Sequence, residues 1–459
     1  MKAGLLPLYI KLYDDTAPGV RPRLEAFYET VARSLEEKGV EILRSPFCRI
    51  EPEFAKAVAD FEAAGADAVI TLHMAYSPSL EAVDVLKKSS LPVIVLDTTE
   101  TLEFTNLQSS GEIMYNHGIH GVMDLCSMLI RRDKPFAIAA GHYEASDCLD
   151  RVVGYLRAAI AARALGNARV GLIGGRFAGM GDFTVPAEEM KTRFGIETVE
   201  LTAERLAKCF DTVTAEEAAR ERQANEDLCD IQADTEEEGY EAYLRSCVAV
   251  EKCIREEKLT AFSATFLGMG REKAGIPTMP FMACCKAMER GIGYAGEGDT
   301  LTAAFIGALL RGWQETTFVE IFCPDWKNDV LFLSHMGEVN YRIRDTRPIL
   351  CKNASRYSGE YNPYAAYTRM QGGKGVYVNI CRGKDDFKLV LSGAEMLSYE
   401  ADNFATGMRG WMKPGCPVAE FLEAHSRQGA THHSAFVYGA TVEQLQYFAA
   451  LLGLQSVVI

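Results

Sequence analysis

Short, wholly apolar runs alternating with amphipathic helical stretches constrain the first third of this chain more than any other feature. Residues 3–10 read as a strand. From Pro22 to Lys38, apolar residues recur at Leu24, Phe27, Tyr28, Val31 and Leu35, one face of a helix, and Gly39 follows as its stop. Val40–Leu43, Ala68–Leu72, Val93–Leu96 and Phe136–Ala140 repeat the strand signal. Pro52–Ala64, Leu80–Lys88, a long stretch around 110–131 and another near 146–164 repeat the helical one. Strands apolar on both faces, set between amphipathic helices, predict a parallel sheet covered on both sides.

A second α/β series begins with the strand Arg169–Ile173 and continues through long helices over 214–258, the strand Ala261–Phe266 and the helix Met282–Arg290. The charge run in 214–258 reads as a solvated face. After about residue 317 the texture changes. Phe318–Phe322, Val330–Ser334, Arg342–Arg344, Gly375–Ile380 and Phe387–Leu391 read as strands without long helices between them. The strand His433–Tyr438 follows, then a helix opened by a Thr441/Gln444 capping box and closed by Gly453. The expected fold is therefore α/β: two layered, Rossmann-like α/β domains over 1–165 and 166–316, then a β-rich, barrel-like C-terminal domain over 317–459.

A length of 459 residues leaves room for two or three domains, and a hydrophobic content of 48% fills their cores. The net charge is −15, with Lys and Arg scattered. That excludes nucleic acid as the main partner, since phosphate neutralisation needs a basic patch. The 13 cysteines are dispersed and odd in number, without a CxxC pair, and read as reduced, mostly buried thiols. The opening segment carries no signal-peptide pattern and there is no run of about twenty apolar residues, so a cytoplasmic protein with no membrane contact is expected.

Two glycine-rich loops invite a dinucleotide reading. Gly174, Gly175, Gly179 and Gly181 follow the strand 169–173, and Gly268-Met-Gly270 follows 261–266. Neither has the GxGxxG spacing, so no nucleotide cofactor is expected.

Four segments of the last third carry chemistry. In Gly293-Tyr-Ala-Gly-Glu297-Gly-Asp299, Asp299 is a natural N-cap for the apolar helix that follows, and Glu297 sits between two glycines near a positive helix end. In Thr316-Thr-Phe-Val-Glu320-Ile-Phe, a glutamate stands on the strand side expected to hold Phe318 and Phe322, where burial is costly unless it is paired or metal-bound. His335 ends the apolar strand 331–334, and His432-His433 begin another. Two carboxylates and two imidazoles suit Mn²⁺, Co²⁺ or Mg²⁺ better than Zn²⁺, for which CxxC or HExxH spacing is missing.

GYAGEGDTLTAA, TTFVE, LSHMGEV and ATHHSAF, in that order, resemble the metal-site motifs of the L-arabinose isomerase and L-fucose isomerase superfamily, most closely the arabinose isomerases. Weaker matches lie at Leu72-His73, Ser77-Pro78, Asn116-His117-Gly118, Gly141-His142-Tyr143 and Thr265-Phe266. The resemblance implies Glu297, Glu320, His335 and His433 as ligands of one divalent cation, expected to be Mn²⁺. It makes Glu297 and Glu320 the catalytic acid/base pair of an aldose–ketose isomerisation, and it places Met180, Phe266 and His432 at the sugar. It further implies a homo-oligomer, trimeric, hexameric or tetrameric, with sites at subunit contacts to which His117 contributes. Asp97 stands where arabinose isomerases lead into a histidine reaching a neighbour's site, which predicts a sugar differing from L-arabinose at its distal end. The metal-site motifs contain no Lys or Arg, so an unphosphorylated sugar is expected. Arg176 and Arg271, in the two glycine loops, are the first positions to serve an anionic one. The rival readings are a non-catalytic sugar-binding or regulatory protein of the same fold and a nicotinamide-dependent oxidoreductase.

Overall fold

The computed structural model of the protein describes residues 1–232, 237–354, 357–404 and 406–459. They form two compact units, Met1–Ile160 and Ala161–Ile459.

In the first unit, β1 (Lys2–Leu8), β2 (Glu41–Arg44), β3 (Ala68–His73), β4 (Val93–Asp97) and β5 (Phe136–Ala140) form one parallel sheet in the order β2-β1-β3-β4-β5. Every residue of β3 is buried, as expected for a central strand with helices on both faces. Helix Arg21–Glu37 buries Leu24, Phe27, Tyr28, Val31 and Leu35, the face legible in the sequence. The stretch around 110–131 is not one helix. It breaks at His117-Gly118, between Ile113–Asn116 and Ile119–Arg131. A side chain at Gly118 would clash with the His73 carbonyl, and one at Gly121 would lie 2.5 Å from His73 Nδ1, so the chain turns where it comes down onto the end of β3. Residues 80–88 are likewise divided, into a 3₁₀ turn Ser79–Glu81 and a helix Val83–Lys88.

In the second unit the strands run β6 (Arg169–Ile173), β7 (Glu197–Leu201), β8 (Asp230–Ile231), β9 (Ala261–Ala264) and β10 (Gly293–Gly296). Then follow β11 (Thr316–Asp325), β12 (Val330–Ser334), β13 (Ile349–Lys352), β14 (Tyr364–Tyr367), β15 (Gly373–Arg382), β16 (Phe387–Met396), β17 (Gly410–Pro414), β18 (His433–Tyr438) and β19 (Gln455–Val458). A parallel sheet has the order β10-β9-β6-β7. The antiparallel order β15-β18-β11-β12-β17-β16 closes by pairing of β16 with β15, a six-stranded barrel that β19 joins from β16. The α/β-plus-barrel expectation is met. A small sheet, β14-β13-β8, completes the unit. The helical reading of 214–258 resolves into Ala215–Leu228 and Glu237–Glu256, with 233–236 outside the described residues.

Two further local expectations fail. Arg342–Arg344 is not a strand: Arg342 and Ile343 lie in a 3₁₀ turn, Tyr341–Ile343, and Arg344 follows it. The buried Asn340 side chain accepts from Arg342 N at 3.0 Å and donates to Gln314 O and Thr316 O at 2.9 and 2.8 Å, which folds the segment back. Phe322 does not share the inner face with Phe318. The register of β11 against β12 shifts between Ile321 and Cys323, so Phe322 is the extra residue of a bulge and is 48% exposed.

His73 is buried, with Nδ1 2.9 Å from Ser77 Oγ, and burial lowers its pKa to about 3. The unfolded chain takes up a proton near pH 6.5 that the native His73 refuses until about pH 3. Stability should therefore fall as pH drops across that window, by up to about 1.4 kcal/mol per pH unit from this group. Thermal unfolding of wild type and His73→Asn between pH 7 and 4.5 checks this: the variant should lose part of the acid sensitivity, and an unchanged slope would remove His73 as its source.

Candidate metal centre

Strand pairing assembles half of the centre. On β11, Glu320 stands opposite His433 of β18 on one side and Ser334 of β12 on the other, which brings the next residue, His335, alongside. Phe318, two residues earlier and on the same face, packs edge-on against His335 and His433, with ring centroids 4.8 and 5.0 Å apart. The start of β18 is held by the buried Asn379 of β15, whose Nδ2 donates to Thr431 O at 2.9 Å and His433 O at 2.7 Å. Glu320 Oε2 then lies 3.6 Å from His335 Nε2.

Glu297 comes from the end of β10 in the parallel sheet. Its φ of +64° is the left-handed region, rare for a residue with a side chain. The conformation is fixed by a hydrogen bond from its N–H to Ala264 O and one from Phe177 N–H to its carbonyl, both 2.9 Å. Glycines flank it for separate reasons. A Cβ at Gly296 would stand 2.7 Å from the His335 ring, and one at Gly298 would stand 2.6 Å from Arg176 Cα and Gly175 O. So placed, Glu297 Oε2 is 3.6 Å from His433 Nε2 and 3.7 Å from His432 Nε2.

Each imidazole is braced from behind by a carboxylate. His433 Nδ1 meets Asp299 Oδ2 at 3.0 Å, while Asp299 Oδ1 caps the helix Thr300–Gly312 at Thr302 N, 2.9 Å. Asp299 thus serves as the cap that the sequence indicates and as a histidine brace that it does not. His335 Nδ1 meets Glu338 Oε2 at 2.7 Å, and Tyr294 Oη donates to Glu338 Oε1 at 2.9 Å. His432 Nδ1 meets Asp182 Oδ2 at 2.6 Å. Engaging Nδ1 with a carboxylate turns Nε2 inward, the arrangement of carboxylate–histidine–metal triads. Asp182 and Glu338 carried no chemical signal in the sequence. Their partners lie 250 and three residues away, respectively, and only Glu338's i,i+3 offset from His335 could have hinted at the pairing.

Burial pushes the Glu297 carboxyl upward, but the imidazoles of His432, His433 and His335 beside it outweigh burial and hold the group at about 2. Burial disfavours the His432 cation, yet the hydrogen bond to Asp182 and the Glu297 carboxylate 3.7 Å away outweigh it and raise its pKa to about 10.

Two triads of possible ligand atoms result, Glu297/His432/His433 and Glu320/His335/His433, sharing His433. His433 Nε2 is buried and has no hydrogen-bond partner, although its ring is entirely enclosed. A buried lone pair left bare costs about 1–3 kcal/mol, and a cation between it and the two carboxylates would remove that cost. The residues fit a divalent metal.

The other positions singled out by sequence fall as follows. Phe266 packs edge-on against Phe177 (ring centroids 5.9 Å apart) and at a tilt against Tyr357 (4.8 Å), and Phe177 N–H in turn donates to Glu297 O. Met180 lies half-buried in the loop after β6, where its carbonyl accepts from Thr184 Oγ1 at 2.7 Å. Arg176 reaches Thr300 Oγ1 at 3.5 Å, and Arg271 pairs with Asp211 at 3.0 Å. In the first unit, Asp97 ends β4, half-buried, with its carboxyl pKa raised by burial. His117 there faces Tyr13 Oη at 3.0 Å through Nε2. All thirteen cysteines are free thiols, with only Cys323 exposed and with Cys209 and Cys253 in sulfur contact with each other. Among the described residues no helix is long and apolar enough to cross a membrane.

The chain matches two family models: that of the L-arabinose isomerase central domain over residues 185–311, and that of the L-arabinose isomerase C-terminal domain over 315–455. It is 23% identical over 472 residues to the L-arabinose isomerase of Shouchella clausii, covering 99% of this chain and 93% of that protein. With the L-arabinose isomerase of Aeromonas salmonicida it shares 24% over 400 residues, 84% and 79% of the two chains. A periplasmic solute-binding protein from Actinobacillus succinogenes, solved with bound D-allose, covers 68% of this chain and 91% of its own at 14% identity, but its TM-score of 0.18 carries no weight.

Glu338→Gln keeps the shape that packs on Tyr294 but no longer fixes His335 with a carboxylate. Titration calorimetry with Mn²⁺ should show a cation affinity about 10–100-fold weaker in this variant, with the circular dichroism of wild type; equal affinity would mean that Glu338 only fills space.

Proposed function

The chain belongs to the L-arabinose isomerase-like family, and from that premise we propose that it is a metal-dependent aldose–ketose isomerase acting on a free sugar through a cis-enediol(ate) intermediate. The observation that carries this reading is the pair of carboxylate–imidazole triads that share His433, whose braced ring turns inward an Nε2 with no hydrogen-bond partner. Glu297, Glu320, His335 and His433 would hold the cation, Mn²⁺ in this reading, with Co²⁺ or Mg²⁺ as substitutes. When bound, it supplies polarisation of the sugar carbonyl and stabilises negative charge on the adjacent oxygens.

The protein's own part is proton movement. For an aldose to become a ketose, C2 loses a proton and C1 gains one, while O2 gives up its hydroxyl proton and O1 acquires one. Glu297 and Glu320 are the two groups able to remove and return the carbon-bound proton. His432, beside Glu297, together with Met180 and Phe266, would contact the sugar. Asp97 and His117 would serve a site in a homo-oligomer of trimeric, hexameric or tetrameric form. In this reading the protein is cytoplasmic, with domains at 1–165, 166–316 and 317–459.

Exhaustive chelation should abolish isomerisation, and Mn²⁺ or Co²⁺ should restore it best. Glu297→Gln and Glu320→Gln should each lose turnover by several orders of magnitude while melting as the wild type does. Full activity in metal-free protein, or near-normal rates in either variant, would end the proposal.

The substrate should be uncharged. No Lys or Arg stands in the metal-site motifs, and Arg271 is already paired with Asp211. Kinetics with L-arabinose, L-fucose, D-arabinose, D-galactose and representative sugar phosphates, on wild type and Asp97→His, should favour a free sugar, with the variant shifting towards L-arabinose. A phosphorylated sugar preferred by more than about tenfold, roughly 1.4 kcal/mol, would overturn the uncharged-substrate reading.

A further inference from the structure

The loop between β6 and the helix Ala187–Phe194 grips the centre at three points. Phe177 N–H donates to Glu297 O at 2.9 Å. Phe183, 3% exposed, stacks on His433 with ring centroids 4.8 Å apart and planes at 15°. Asp182 Oδ2 accepts from the His432 backbone N–H at 3.0 Å and meets its Nδ1 at 2.6 Å. One carboxylate oxygen therefore fixes both the main chain and the ring of His432. With Nδ1 so occupied, His432 Nε2 faces Glu297 Oε2 at 3.7 Å, and the same oxygen is 3.6 Å from His433 Nε2.

We propose that Asp182 is a positioning residue of the cation site, acting through His432 on Glu297. The inference rests on the cation site proposed above. Its physical basis is preorganisation. A glutamate side chain free to rotate must be ordered when a cation binds, whereas one already flanked by two fixed imidazoles loses less freedom. Asp182 supplies the fixing for one of the two, and Asp299 supplies it for the other. Unlike Asp299, Asp182 caps no helix, and both hydrogen bonds of its Oδ2 go to His432. Its effect should accordingly pass through that histidine.

The test uses full-length protein and Mn²⁺ alone as the probe, by titration calorimetry and by electron paramagnetic resonance of free Mn²⁺. Asp182→Ala and His432→Ala should each bind Mn²⁺ about 10–100-fold more weakly than wild type. Asp182→Ala/His432→Ala should be no weaker than His432→Ala alone, within twofold. Asp182→Asn keeps an acceptor for the backbone N–H and should fall between; should Asp182→Ala fail to fold, the comparison is made with Asp182→Asn in both backgrounds. An affinity for Asp182→Ala within twofold of wild type, or tighter, overturns the proposal, as do losses that multiply in the double variant. Wild-type protein that binds no Mn²⁺ removes the cation reading and this one together, whereas normal wild-type binding with an unaffected variant removes this one alone.

Discussion

The position of Glu320 depends on β11 holding its register against two antiparallel neighbours at once. Opposite His433 on one side and Ser334 on the other, Glu320 has only one alignment in which both histidines come within reach. A slip of one residue would send Phe318 and Glu320 to the other face of the barrel together. Phe318 makes such a slip expensive, since its buried ring fits edge-on between His335 and His433. The barrel also closes on itself, so β11 has no free edge along which to shift. The bulge at Phe322 comes just after Glu320, and it lets the strand change alignment only once the site has been built.

Gathering these charges under cover is costly, and the arrangement of carboxylates offsets the cost. Glu297 and Glu338 are 8% and 2% exposed, and Asp299 is fully buried. None of the three is left to itself. Asp299 has a helix N-terminus and a histidine, Glu338 has a tyrosine hydroxyl, the Gly337 N–H and a histidine, and Glu297 has two histidines. The histidines are used at both ends of the ring. One nitrogen satisfies an outer carboxylate, and that bond decides which nitrogen remains for the interior. The bare Nε2 of His433 is the consequence, because its only hydrogen-bonding capacity on that side is a lone pair.

The layers of the fold were legible in the sequence because burial imposes a period. The face of helix Arg21–Glu37 and the apolar run of β3 are direct records of what each element packs against. Glu320, His335 and His433 stand out because polar residues interrupt those apolar patterns, Glu297 because it stands between two glycines, and the resemblance of the four motifs joins them into one expected ligand set. The break at His117-Gly118 was not legible, since it is caused by a strand some 45 residues earlier pressing on the helix start. Nor was the bulge, which exists only relative to β12. The braces were hidden for the same reason. Asp182 reads as a loop acid and Asp299 as a cap until the fold brings each to its histidine.

Two kinds of sheet meet at this centre, and they contribute different things. The loops after β6, β9 and β10 all leave the carboxyl ends of parallel strands, where open α/β sheets present their ligand sites. Those loops carry Phe177 and Asp182, Phe266, and Glu297, and their glycines allow main chain to approach main chain, as Gly298 does against Gly175 and Arg176. The barrel instead contributes Glu320, His335 and His433 on adjacent hydrogen-bonded strands or immediately beyond them, where position is set by ladder geometry. Loop residues can adjust to a substrate, and barrel residues hold one set of coordinates. Glu297 belongs to the adjustable side, yet its left-handed backbone and its hydrogen bonds to Ala264 and Phe177 restrict that freedom to the side chain. The division places one acid/base candidate of the proposed reaction on a ladder strand and the other on a tethered loop, where the histidines braced by Asp182 and Asp299 flank its side chain.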